Sequence, residues 1–250
     1  MDSKEQFELC YAEDFRIACT INYLRQEEVL QYFVNRVSFY AFNGGEMEAA
    51  ALSATNVIID CKEANGSEVV PETSKKVQRT AIKYIMLFSE LNENDDLSTV
   101  DKMKESFYLM QDWETEVTPF VDYPKTFPLK DDRFLILTFD FNLLCRMNGV
   151  DVARVLQYFI DQISLAKQRA VNLLKVTEPD SSMFLFGMML FSRSMQKNRL
   201  PIQHDVEKWY SDKLLSLDDQ LKAEDSLEKR IMVYRAFYIE WYNTLIKNLN

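Results

Sequence analysis

"DFRIACTINYLRQEEVLQYFVNRVS" (residues 14–38) and "DFNLLCRMNGVDVARVLQYFIDQIS" (residues 140–164) lie over each other without a gap, 126 positions apart. Ten of the 25 positions are identical: Asp14/Asp140, Phe15/Phe141, Cys19/Cys145, Asn22/Asn148, the five of VLQYF, and Ser38/Ser164. Ordinary residue usage gives about one or two identities over such a length. The stretch reads as one helical corner written twice. In each copy the Asp suits the cap of a short helix, accepting bonds from free amides. Asn22 and Asn148 suit the left-handed residue that closes it, and Gly149 makes the second stop firmer. Asp151 is then placed to cap the next helix. There Val155, Leu156, Phe159, Ile160 and Ile163 form one apolar stripe, which Val29, Leu30, Phe33, Val34 and Val37 reproduce. The expected repeat core is Phe15, Cys19, Leu30 and Phe33 in one copy and Phe141, Cys145, Leu156 and Phe159 in the other.

Outward from the corner, "MLFS" recurs at 86–89 and 189–192, which implies extra residues in the first half. The expected fold is all-α, a tandem duplication of a small helical module, with one short strand at "FLILTF" (134–139). Three of the six prolines fall in "TPFVDYPKTFPLKDD" (118–132), where lost amide donors and restricted backbone bar a continuous helix. The expected domains are therefore 1–122, an acidic first copy, a proline-containing linker at 123–130, and 131–250, a second copy. Turn and capping residues mark further helices near 46–63, 73–92, 98–117, 151–175, 181–197, 205–222 and 226–248. Pro179, Asp180 and Ser181 mark one of these starts.

The totals exclude several classes. The net charge of −10 opposes whole-protein nucleic-acid binding, because phosphate contacts need a basic face. The charge is uneven: residues 1–125 hold 23 acids and 12 bases, residues 126–250 hold 16 and 17. No apolar run approaches the roughly 20 residues that span a bilayer, so no membrane partner is expected. The acidic start "MDSKEQFELCYAED" lacks a secretory pattern. Four scattered cysteines fit reduced thiols, hence a cytoplasmic location.

Catalytic groups are sparse. His204 is the one histidine, too few for a di-iron carboxylate bundle or a convincing cysteine–histidine pair. The cysteines are too far apart to suggest zinc, and Gly44–Gly45 lacks a phosphate-loop context. Carboxylate pairs such as Asp95/Asp96 sit in polar turns. No catalytic, cofactor or metal residue is assigned, and the expectation is a non-enzyme without cofactor.

Two functions follow. The first is a non-enzymatic intracellular scaffold or regulatory protein that binds another protein or itself. Its expected contact face lies on the final helix at Tyr234, Tyr238 and Trp241, with Arg230 and Arg235 beside them, residue types that interfaces favour. The alternative is a DNA-binding regulator using a helix-turn-helix-like unit at 140–165. With "FLILTF" ahead of it, this segment of about 30 residues resembles ribbon-helix-helix repressors. Arg146, Arg154, Lys167, Arg169 and Lys175 give this copy a basic tendency, broken by Asp151 and Asp161, and the first four are the expected DNA contacts of this alternative. The segment departs from the repressor pattern in a first helix several residues short and in Glu27 and Glu28 of the other copy.

Overall fold

The computed structural model describes residues 8–68, 72, 74–174 and 180–248. In chain order these form α1 (Glu13–Ile21), α2 (Gln26–Arg36), α3 (Phe39–Phe42), α4 (Ala49–Asn65), α5 (Lys75–Glu93) and α6 (Thr99–Val117). A hairpin of β1 (Thr126–Pro128) and β2 (Phe134–Ile136) follows. Then come α7 (Phe139–Asn148), α8 (Val152–Gln162), α9 (Leu165–Leu174), α10 (Ser181–Phe191), α11 (Arg193–Lys197), α12 (His204–Leu221) and α13 (Leu227–Lys247). The chain is mostly helical, with one two-stranded sheet among the described residues. Helix starts follow the capping residues: Ser74, Ser98, Thr138, Asp180 and Ser226 each accept a bond from an amide of the first turn. Pro179 lies outside the described residues.

The two corners share one backbone design, and it corrects two readings of the sequence. Asp14 and Asp140 do not cap their own helices, because Ala12 and Thr138 occupy the N-cap positions. The left-handed residue falls one place later than expected, at Tyr23 (φ 58°) and Gly149 (φ 63°). Asn22 and Asn148 instead turn their side-chain amides back, donating to the Ala18 carbonyl at 2.8 Å and the Leu144 carbonyl at 2.9 Å. The amides of Leu24 and Val150 close the turn on the Cys19 and Cys145 carbonyls, at 2.9 and 3.0 Å. Asp151 does cap the next helix, accepting from the Ala153 amide at 2.8 Å.

The chain divides into two compact units, and the division falls inside α2 and α8 rather than in the proline stretch. One unit comprises Leu30–Leu156 with residues up to Leu9; the other comprises Cys10–Val29 with residues from Gln157 on. Thus α7, from the second half of the sequence, belongs with α3–α6, and α1, from the first half, belongs with α9–α13. The expected boundary at 123–130 lies inside the first unit, where β1 pairs with β2 in antiparallel register, Phe127 opposite Leu135.

In the first unit the core is aromatic. Phe39 meets Phe88 and Trp113 edge-on at 5.1 and 5.0 Å, Tyr84 stacks on Trp113 at 5.4 Å, and Phe33 meets Phe141 at 5.6 Å. Gln31 holds α7's approach segment as a sheet neighbour would. Its side-chain amide donates to the Ile136 carbonyl and accepts from the Ile136 amide, both at 2.8 Å.

In the second unit Gln157 makes the same double bond with the backbone of Cys10, again at 2.8 Å both ways. Ile17 and Ile21 of α1 join Ala166, Ala170, Tyr210, Tyr234, Phe237, Trp241 and Leu245 in one core cluster. A polar triad ties three helices together. Asp218 of α12 accepts from the Tyr234 hydroxyl of α13 at 2.8 Å and from the Arg169 guanidinium of α9. Burial raises the Asp218 carboxyl, but the Arg169 and Tyr234 bonds outweigh it and hold the group below its ordinary range. The "MLFS" echo has no structural counterpart: Phe88 is fully buried on α5, whereas Phe191 is 82% exposed.

Two outcomes are expected. Asp218→Ala leaves the Arg169 charge and the Tyr234 hydroxyl without their acceptor, and should cost about 3 kcal/mol in urea unfolding. A protease site between Lys130 and Asp131 should give two pieces that co-elute in native gel filtration, because each unit draws elements from both. Pieces that separate without denaturant would contradict the division.

Candidate functional site

A recess in the first unit has a volume of about 500 Å³, within the usual range for ligand sites. One wall is a face of α6, where Met103, Ser106, Phe107, Met110, Gln111 and Glu114 recur at helical spacing. The opposite side comes from the end of α2, from α3 and from the start of α4, through Val37, Tyr40 and Ala51. Leu137 and Phe139 line the approach to α7. The inner lining is apolar and buried, while Phe107 stands 61% exposed at the mouth. Gly45 supports this shape: a Cβ there would lie 2.4 Å from the Tyr40 ring.

Four charged groups border the recess: Arg36, Glu48, Glu114 and Asp140. Arg36 is already committed to Glu48 at 2.8 Å. Asp140 is fixed by its neighbours. Thr138 caps α7 through the Phe141 amide at 3.2 Å, and Asp140 Oδ1 accepts from the Phe39 amide at 2.8 Å, so the acid holds the first amide of α3 beside its N-cap Ser38. No cation pairs with it among the described residues. Burial pushes its carboxyl up to about 6; the bonds from the Phe39 amide and its own amide pull down, and Glu114 adds to the rise.

The corresponding acid of the second unit has a different setting. Asp14 Oδ2 accepts from the Ser164 hydroxyl at 2.6 Å, and Ser164 in turn caps α9 through the Lys167 amide. Arg235 then forks onto Asp14, Nη2 to Oδ2 at 2.7 Å and Nε to Oδ1 at 3.1 Å. Only about 10 Å³ of space remains beside this pair.

The residues singled out from sequence fall elsewhere. Tyr234, Tyr238, Trp241 and Arg230 are buried in the second unit, so the stripe of α13 faces its own core and offers no free face. Arg235 is exposed but paired with Asp14. Of the basic set, Arg146 is paired with Glu72 and Arg169 with Asp218. Arg146 and Arg154 border a second recess of about 360 Å³ together with Glu68 and Asp151, which balance their charge. Lys167 is exposed on α9; Lys175 lies outside the described residues. All eight repeat-core residues are buried. Burial pushes the Cys19 and Cys145 thiols far up, which removes thiolate character at neutral pH. Among the described residues, no group of three or more His, Cys, Asp and Glu side chains is placed to hold a metal, and no helix is long and apolar enough to cross a membrane. Sequence reasoning missed the recess. Its one local signal was Phe107, an aromatic residue off the buried stripe of α6.

No family model, curated protein or solved structure matches this chain.

The two acids should respond oppositely to one substitution. The free Asp carboxyl titrates near 3.9, so a folded value of about 6 means a stabilising contribution present below pH 4 and lost as pH rises through 6. Asp140→Asn keeps the acceptor for the Phe39 amide and removes the charge. At 1.36 kcal/mol per pH unit it should gain up to about 3 kcal/mol at pH 7.5, with the gain gone near pH 4. Asp14→Asn breaks the Arg235 fork and should lose about 1 kcal/mol at pH 7.5. Thermal melts of both variants across that range check the pair; shifts of the same sign would refute the contrast.

Proposed function

We propose that this chain is a non-catalytic, intracellular helical interaction protein built from a doubled module, and that the recess of the first unit is where it takes a protein partner. Support for the doubling lies in bonds that recur at the 126-residue offset. Gln31 holds Ile136 as Gln157 holds Cys10, Asp140 caps the helix after Ser38 as Asp14 bonds Ser164, and Tyr23 and Gly149 share one backbone state. Support for binding rests on a single observation: a recess of about 500 Å³ with an aromatic mouth borders a carboxylate that no cation among the described residues neutralises. The other candidates have less support, since the α13 stripe is buried and two of the three DNA-candidate arginines, Arg146 and Arg169, are already paired.

The proposal is tested by displaying short random peptides to the full chain. Gln111→Trp narrows the recess from an exposed position, and Met232→Ala changes a 70% exposed side chain of α13 away from it. Peptides should bind the parent protein and Met232→Ala, and should be lost on Gln111→Trp with an unchanged thermal melt. Equal binding to all three, or to none, would overturn the reading.

A further inference from the structure

The second unit shows what a carboxylate in this position accepts. Asp14 and Asp140 occupy matching places in the two corners, and each bonds the start of a helix of its own unit that is distant in sequence: the Ser164 hydroxyl ahead of α9 for Asp14, the Phe39 amide of α3 for Asp140. Around Asp14 the remaining space is filled by Arg235, whose guanidinium reaches both carboxylate oxygens. Around Asp140 that space is open, and no cation among the described residues occupies it. In place of an arginine, α6 presents Glu114, whose charge acts on Asp140. With Arg36 tied to Glu48, Glu114 and Asp140 remain as unbalanced negative charges at the recess.

We propose that the recess of the first unit receives an arginine side chain from a partner protein, its guanidinium forked onto Asp140 as Arg235 is forked onto Asp14. This rests on the reading of the recess as the partner site and adds the chemistry that the partner must carry. Arginine fits better than lysine. A planar fork matches two carboxylate oxygens, and its weakly hydrated face lies well against aromatic and thioether surfaces. Phe107 and Met110 provide such surfaces beside the acid, and Tyr40 closes the inner end. Apolar residues flanking the arginine would cover Phe107, which otherwise stands exposed. The captured arginine would play for Asp140 the part that α13 plays for Asp14, supplied from another chain.

The test uses an array of synthetic nonapeptides of varied sequence, each printed with arginine, lysine or citrulline at the centre, and the full-length protein. Citrulline keeps the shape of arginine and removes its charge. Charge-assisted hydrogen bonds are strong enough for arginine peptides to bind at least about tenfold better than their citrulline twins. Lysine peptides should fall between, and the preference should vanish on Asp140→Asn, which keeps the bond to Phe39. Arginine and citrulline peptides that bind equally, yet are lost on Gln111→Trp, would overturn the arginine anchor and leave the recess reading intact. Binding unaffected by Gln111→Trp would remove both. Competition by N-acetyl-arginine amide at the concentration of the best peptide would also overturn the proposal, since the site would then take a small guanidine rather than a protein segment.

Discussion

A glutamine that gives and accepts one bond each with a single distant peptide group does the work of a β-sheet neighbour with one side chain. Gln31 grips Ile136 in this way and Gln157 grips Cys10. Backbone amides and carbonyls outside a helix need another partner, and these segments enter their units as extended strand or coil at exposed positions, where the glutamine takes the place of water. The rest follows from that grip. Once Ile136 is held, Thr138 starts α7 and Asp140 reaches the free amide of Phe39; once Cys10 is held, α1 starts and Asp14 reaches Ser164. The identical polar letters of the two copies are therefore anchoring groups, and the identical apolar letters fill the core beneath them.

Two carboxylates at matching positions of the two corners have different electrostatic settings. Beside Arg235, Asp14 is a neutralised strut. Beside Glu114, Asp140 is a charge held in a poorly hydrated place without compensation. Proteins rarely tolerate such a group unless the arrangement serves a purpose. Under the reading proposed above, a cationic visitor to the recess would restore the balance that the other unit achieves internally. Its cost falls in the unoccupied protein, which favours any partner able to relieve it.

Much of the fold was legible because it is locally encoded. Ser74, Ser98, Asp180 and Ser226 announce helix starts within one turn of themselves, and the period of Val29 to Val37 and of Val155 to Ile163 announces the buried faces. What the sequence hid is tertiary. Nothing near Asp140 says that its bond goes to Phe39, a hundred residues earlier, so a cap on its own helix was the natural reading. Tyr234, Tyr238 and Trp241 carry the composition of an interface, yet the same composition suits a core, and only the position of α1 and α9 decides between them. The recess is hardest of all to read. Its walls come from α2, α3, α4, α6 and the entry to α7, none of which is unusual alone.

The division inside α2 and α8 also sets the order in which this chain acquires structure on the ribosome. The first unit has all its pieces once Leu156 has emerged. The segment Cys10–Val29 is made before the first unit is complete, yet its packing surface includes α13, which follows Leu156 in the chain. Until α13 has emerged, Ile17, Ile21 and Tyr23 lack the helix that covers them. A nascent chain in that condition calls for a holding chaperone, and slow elongation through the second half would lengthen its exposure.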